Sequence, residues 1–252
     1  MKGKSMQMSH FLKEKFLPLM VIMVLTGCVG TFSQRQEFRS IEIEQAEWVD
    51  VKIRMRAGNL SVAPGARQLM NARFDYFQPT KRPEIQYDEF EERGVLTLHQ
   101  VARSSVGEFG RMGAVNVWNI LLHPEIRMNL DIGLDMGSSH LKVGALNTRR
   151  VHVMPGQGPV ILDLQGKRTD DLYVTVRGGK GPLEIVLPSD IGVKLQYEKG
   201  SAYIPVEGFT QTEEGVVNAQ YGQTAAAVEI LITSHPGPVH LTVSPEEQNL
   251  EK

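Results

Sequence analysis

The chain has one cysteine, Cys28, in 252 residues. That excludes an intramolecular disulfide and a thiolate metal cluster. Basic charge is not in excess: 27 Lys and Arg stand against 29 Asp and Glu. Setting aside Lys2, Lys4, Lys13, Lys15 and Glu14 from the first 27 residues leaves 23 basic against 28 acidic, a net −5. Phosphate neutralisation needs a basic surface, so nucleic acid is not an expected partner. The apolar run Phe16 to Leu25 is too short to span a bilayer comfortably. No window carries a capped helical stripe. What is present is 41% hydrophobic residues, enough for a core of one large domain or two small ones.

The N-terminus has the order of an export signal. Lys2, Lys4, Lys13 and Lys15 form a basic region, Phe16 to Leu25 an apolar one, and small residues follow. The run ends in Leu25-Thr26-Gly27-Cys28, which resembles the lipobox of bacterial lipoproteins. The resemblance implies cleavage behind Gly27 and a thioether-linked diacylglycerol on Cys28. Each buried CH₂ contributes about 0.8 kcal/mol, so two or more acyl chains hold firmly to a membrane where one does not. Val29 and Gly30 follow the cysteine; without Asp there, the outer membrane is favoured if the cell has two. The expected organisation is a signal peptide over 1–27, a lipidated tether over 28–40, an all-β repeat domain over 41–245 and a charged tail over 246–252.

The body reads as strands and turns. Val49, Val51, Ile53 and Met55 alternate with Asp50, Lys52 and Arg54, as in a strand with one buried face. Strands are also expected at 95–98, 118–122, 128–132, 141–143, 160–164, 172–176, 183–187, 193–197, 228–232 and 239–243. Several begin after a glycine: Gly58-Asn59-Leu60, Gly137-Ser138-Ser139-His140-Leu141, Gly158-Pro159-Val160, Gly181-Pro182-Leu183 and Gly237-Pro238-Val239. Steps of 19 and 23 residues from Leu141 to Val160 to Leu183 suit the coils of a β-solenoid with glycine corners. A β-sandwich with hairpin turns is the alternative.

The stretch from Trp118 to Leu187 resembles the toast-rack domains. These occur in proteins named as bacterial adhesins and in the C-terminal half of membrane proteins of the cell-wall-antibiotic response. Trp118-Asn119-Ile120, Pro124, Leu130-Asp131-Ile132-Gly133, Asp135-Met136-Gly137, Leu141 to Leu146, and Gly178 to Leu187 with Pro188 carry the likeness. It implies a right-handed, β-helix-like fold outside the cytoplasm with no assigned catalytic activity. Ser138-Ser139-His140 departs from the pattern, where small apolar residues are usual. For residues 48–117 the sequence suggests no family.

Candidate chemistry is sparse. Asp131, Asp135 and Asp163 lack the regular spacing of a calcium loop. His10, His99, His123, His140, His152, His235 and His240 form no i, i+2 or i, i+4 ligand set, although two could meet across coils. Ser139 beside His140 lacks the glycine-framed nucleophile elbow. Asp170-Asp171 has the composition of a paired-carboxylate site, but nothing in the sequence fixes their separation. The glycine-rich run 104–113 lacks the lysine of a phosphate loop. Arg149-Arg150 and Lys167-Arg168 read as basic turns able to meet an acidic glycan or lipid headgroup, and Tyr173, Tyr197 and Tyr203 as core or ladder residues. No catalytic, cofactor or metal residue is assigned. The expectation is a non-enzymatic envelope lipoprotein, with the membrane as partner through its anchor and a further envelope protein or glycan as ligand. An envelope-stress sensor and a polysaccharide-active β-helix enzyme are the alternatives.

Overall fold

The computed structural model describes residues 34–76, 82–101, 116–198 and 207–244. The segments assigned to export, to lipidation (Leu25, Thr26, Gly27, Cys28), to the charged tail and to the glycine-rich run 104–113 lie outside them, as do His10 and Tyr203. Every regular element among the described residues is a strand. In chain order they are β1 (Arg35–Ile41), β2 (Trp48–Pro64), β3 (Met70–Tyr76), β4 (Pro83–Phe90), β5 (Arg93–Gln100), β6 (Val117–Leu122), β7 (Arg127–Lys142) and β8 (Thr148–Met154). They continue with β9 (Val160–Asp163), β10 (Leu172–Arg177), β11 (Leu183–Pro188), β12 (Gly192–Tyr197), β13 (Phe209–Gln211), β14 (Val216–Asn218), β15 (Ala227–Thr233) and β16 (Val239–Ser244).

The strands build a solenoid with two walls. In the first wall β5, β2, β7, β8, β10, β15 and β12 lie side by side, all parallel. In the second, β6, β2, β7, β9, β11 and β16 do the same. The long strands β2 and β7 pass through both walls. A hairpin sandwich would place antiparallel neighbours throughout; here they occur only at the ends. β4 closes on β5, and β3 and β1 extend from β6. β14 and β13 extend from β12. Antiparallel caps of this kind cover strand edges that would otherwise stack on a neighbour.

Alternation fills the interior. Leu98, Ile53, Ile132, Val153, Val176 and Ile232 are in register across the first wall, and each is 2% exposed or less. Trp118, Leu60, Ser139, Val160, Leu183 and Val239 form the matching column of the second. Ser139 is the small polar member of that column and is buried. Burying a Val or Leu side chain contributes about 1.5–3 kcal/mol, and a rung gains it only when a neighbouring rung covers it.

The glycines mark the bend between walls. Gly58 (φ +141°) and Gly137 (φ +113°) lie inside β2 and β7, so the expected turns are bends within continuous strands. Gly58, Gly137, Gly158, Gly181 and Gly237 stack into one spine. A Cβ on Gly158 would stand 1.7 Å from the Gly137 carbonyl oxygen, and one on Gly181 2.0 Å from that of Gly158.

Three expectations are corrected. The 19-residue step is two residues out of register: Val160 pairs with Ser139, and Leu141 with Leu162. The tether does not extend to Ser40, because Arg35 to Ile41 is paired with β3 and tied by Gln36 to Asp75 (2.9 Å) and by the Tyr76 hydroxyl to Glu37 (2.8 Å). Arg149 and Arg150 belong to strand β8 and not to a turn. Tyr173 is a ladder residue, paired with Arg150 and Glu229, and its side chain points out of the first wall, 44% exposed.

Candidate functional site

Parallel register carries side chains of distant sequence into short rows on the outside of the first wall. Trp48 on β2 stands between Arg93 on β5 and Arg127 on β7. One step along, Asp50, Asn129, Arg150 and Tyr173 make a second row across β2, β7, β8 and β10. Members of both rows, without Asp50 and Tyr173, line an open cleft of about 620 Å³ together with the β4–β5 turn. Its walls are Trp48, Phe90, Arg93, Arg127, Asn129 and Arg150, with Glu47, Glu91 and Glu92.

The cleft is organised by Asp50. The Arg93 guanidinium donates to Asp50 Oδ2 at 2.6 and 3.1 Å, and Asn129 Nδ2 donates to Oδ1 at 2.8 Å. Burial alone would raise the Asp50 carboxyl, but hydrogen bonding from Arg93, Asn129 and Trp48, with the Arg93 charge, holds it below the usual aspartate range. The amide of Asn129 is therefore fixed, and its buried Oδ1 has no hydrogen-bond partner among the described residues. Glu92 O accepts from Glu47 N (2.8 Å) and Trp48 N (3.1 Å), which pins the β4–β5 turn to the start of β2. Glu91 takes φ 54° in that turn, a conformation costing a non-glycine residue on the order of 1–3 kcal/mol. Phe90 at its shoulder is 77% exposed.

A larger hollow of about 780 Å³ lies between β1 and the β4–β5 hairpin, lined by Arg39, Arg82, Glu84 and His99 among others.

The other sequence candidates are placed apart. Ser139 faces the core while His140 faces outward, because neighbours in a strand point to opposite sides. Ser138 Oγ donates to Asn59 Oδ1 (2.9 Å). Asp171 Oδ1 accepts the Ala227 amide (2.9 Å) and so anchors the start of β15. Asp131 bonds Arg54 and approaches His152 Nδ1 (3.2 Å) on the first wall; Asp163 is on the second. Asp135 is exposed on β7. His99 pairs with Glu84 (2.9 Å), and His123 Nδ1 accepts the Glu125 amide (3.2 Å). His140 and His240 fall in one outer column with Ile161 and Glu184 between them. Buried His235 meets the Gly178 carbonyl at 2.6 Å. Among the described residues no three His, Asp or Glu are grouped as a metal site. Arg168 is committed to structure. It donates to the carbonyls of Gly144 (2.8 Å), Leu146 (3.2 Å) and Thr148, and burial lowers its pKa from the ordinary arginine value.

Arg150 is thus the one member of the two basic pairs that lines the cleft. Trp48, Phe90, Arg93 and Arg127 were not singled out from sequence. They lie far apart in the chain, and only the unexpected order β5–β2–β7 unites them.

The comparisons agree with this architecture. The family model described as the N-terminal domain of toast_rack matches residues 30–186. The crystal structure of a "putative cell adhesion protein" from Clostridium sporogenes is similar at TM-score 0.76 and 26% identity, covering 84% of this chain and all of that one. A "putative adhesin" from Bacteroides fragilis covers 85% of this chain and 98% of its own at 10% identity, with a TM-score of 0.29, too low to carry an argument. No curated protein matches. With its stacked parallel rungs and a family match over more than half its length, the chain belongs to the toast_rack N-terminal domain family.

Proposed function

We propose that this protein is a non-enzymatic binding or adhesion module of the bacterial cell envelope, held on a membrane by lipid on Cys28. The observation that carries the binding role is the open, side-chain-rich cleft on the outer wall, where Arg93 and Asn129 hold Asp50 in place. The likeness to a cell adhesion protein from Clostridium sporogenes supports the reading. The lipobox Leu25-Thr26-Gly27-Cys28 supports the anchor. Asp171, one of the two carboxylates of the polysaccharide-cleaving alternative, accepts the Ala227 amide at the start of β15 and lies outside this cleft's lining.

The test is to incubate the purified full-length protein with envelope polysaccharide fractions and with envelope proteins, following retention and the appearance of new reducing ends. Retention of a component without new ends is expected. New ends, lost in an Asp170→Asn, Asp171→Asn variant, would establish the enzyme instead.

A further inference from the structure

We propose that the cleft beside the β4–β5 turn is a saccharide subsite for neutral, polyhydroxylated sugar units, in a chain lying across the rungs. This rests on the binding-module reading and names its ligand class. The charges decide the class. Three guanidiniums (Arg93, Arg127, Arg150) and three carboxylates (Glu47, Glu91, Glu92) share one cleft. A compact anion meets the glutamates, and a compact cation meets the arginines. A hydroxyl both donates and accepts, so vicinal hydroxyls can satisfy neighbouring Arg donors and Glu acceptors together.

The aromatic groups fit the same ligand. Phe90 is the most exposed large apolar side chain among the described residues, and nothing in the packing accounts for it. Trp48 lines the same cleft, in one row with Phe90 and with Arg93 between them, and its side chain hydrogen-bonds Asp50. Flat aromatic faces suit the C–H faces of pyranose rings. The volume of about 620 Å³ lies in the ordinary range of ligand clefts. Beyond the cleft lining, Tyr173 stands two rungs past Asn129 in the row of Asp50, in register with Arg150. With rungs roughly 4.8 Å apart, Trp48 to Tyr173 spans about 14 Å, long enough for more than one sugar unit.

The experiment is affinity electrophoresis of the detergent-solubilised full chain through gels containing glucan, mannan or galactan, and in parallel polygalacturonate. Phe90→Ala and Arg127→Ala change exposed side chains; Lys142→Ala on the second wall is the control. Retardation by at least one neutral polymer is expected, weakened at least tenfold in both cleft variants and unchanged in the control, with unaltered melting curves. No retardation by any neutral polymer, retardation by the acidic polymer alone, or equal retardation of all variants would overturn the proposal. If the wild type still retains an envelope protein or an acidic glycan without cleaving it, the subsite fails while the binding-module reading stands. If new reducing ends appear, that reading fails.

Discussion

Alanine at Gly158 is the sharpest perturbation of the solenoid. The added Cβ would lie 1.7 Å from the Gly137 oxygen and 2.5 Å from its carbonyl carbon, where ordinary contact begins at 3.4 Å. Both atoms are backbone, so no side chain can swing aside. Rungs lie about 4.8 Å apart, and relief requires β7 and β9 to part locally. The nearby bond from Ser139 N to Pro159 O (3.0 Å) goes with it, at about 1 kcal/mol. Overpacking adds about 1–3 kcal/mol, towards the upper end where nothing flexible yields. Gly158 is not among the positive-φ glycines, so the cost is steric. Gly178 is the contrast: φ +77° with nothing within 4 Å of a Cβ, leaving only the conformational penalty of about 1–2 kcal/mol. Urea unfolding followed by circular dichroism should show Gly158→Ala losing about 3 kcal/mol or more, and melting should fall by about 10 °C. Gly178→Ala should lose less, about 1–2 kcal/mol. Equal losses, or a Gly158→Ala melting point within about 2 °C of wild type, would refute the stacked-spine reasoning.

Other outcomes follow from the same coordinates. Ile132→Ala empties a site in the middle of the first-wall column and should cost about 2–5 kcal/mol in the same assay. Arg168→Ala strands the carbonyls of Gly144, Leu146 and Thr148 and should cost about 2–3 kcal/mol; Arg168→Lys should restore little, lacking the planar fork. Asp50 and Glu37 have depressed pKa values: burial opposes ionisation, but hydrogen bonds from Arg93 and Asn129, and from Arg82 and Tyr76, overcome it. Their contribution is therefore present above an unfolded carboxyl pKa of about 4 and lost as pH falls through the lower folded values. Denaturation curves from neutral to acid pH should fall less steeply in Asp50→Asn and Glu37→Gln.

Much of this fold was legible because a strand with one face in a core must alternate. β2, β5, β6, β10, β11, β12, β15 and β16 all lie where alternation placed strands. The glycine corners were legible as a set, since a backbone packed against backbone excludes a Cβ. β3 carries the same signal, with Met70, Ala72, Phe74 and Tyr76 inward, and its sequence is no more ambiguous than that of β2. β8 was hidden because Arg149 and Arg150 break the alternation where the register shifts at Met128 and Asn129. β1 and β4 are capping strands held by ladders and ion pairs, so little apolar pattern marks them. The cleft was illegible for a different reason. Its rows depend on the spatial order of rungs, and β2 lies between β5 and β7, just as β15 lies between β10 and β12. Local sequence carries no information about such insertions.

The claim on which the envelope role depends is the anchor at Cys28, and one measurement tests it directly. Full-length protein and a Cys28→Ser variant are expressed in bacteria with labelled palmitate, and the cells are fractionated. The account predicts label and membrane association in the wild type, with both lost in the variant. An unlabelled wild type recovered soluble outside the cytoplasm would contradict it and leave a freely diffusing secreted solenoid.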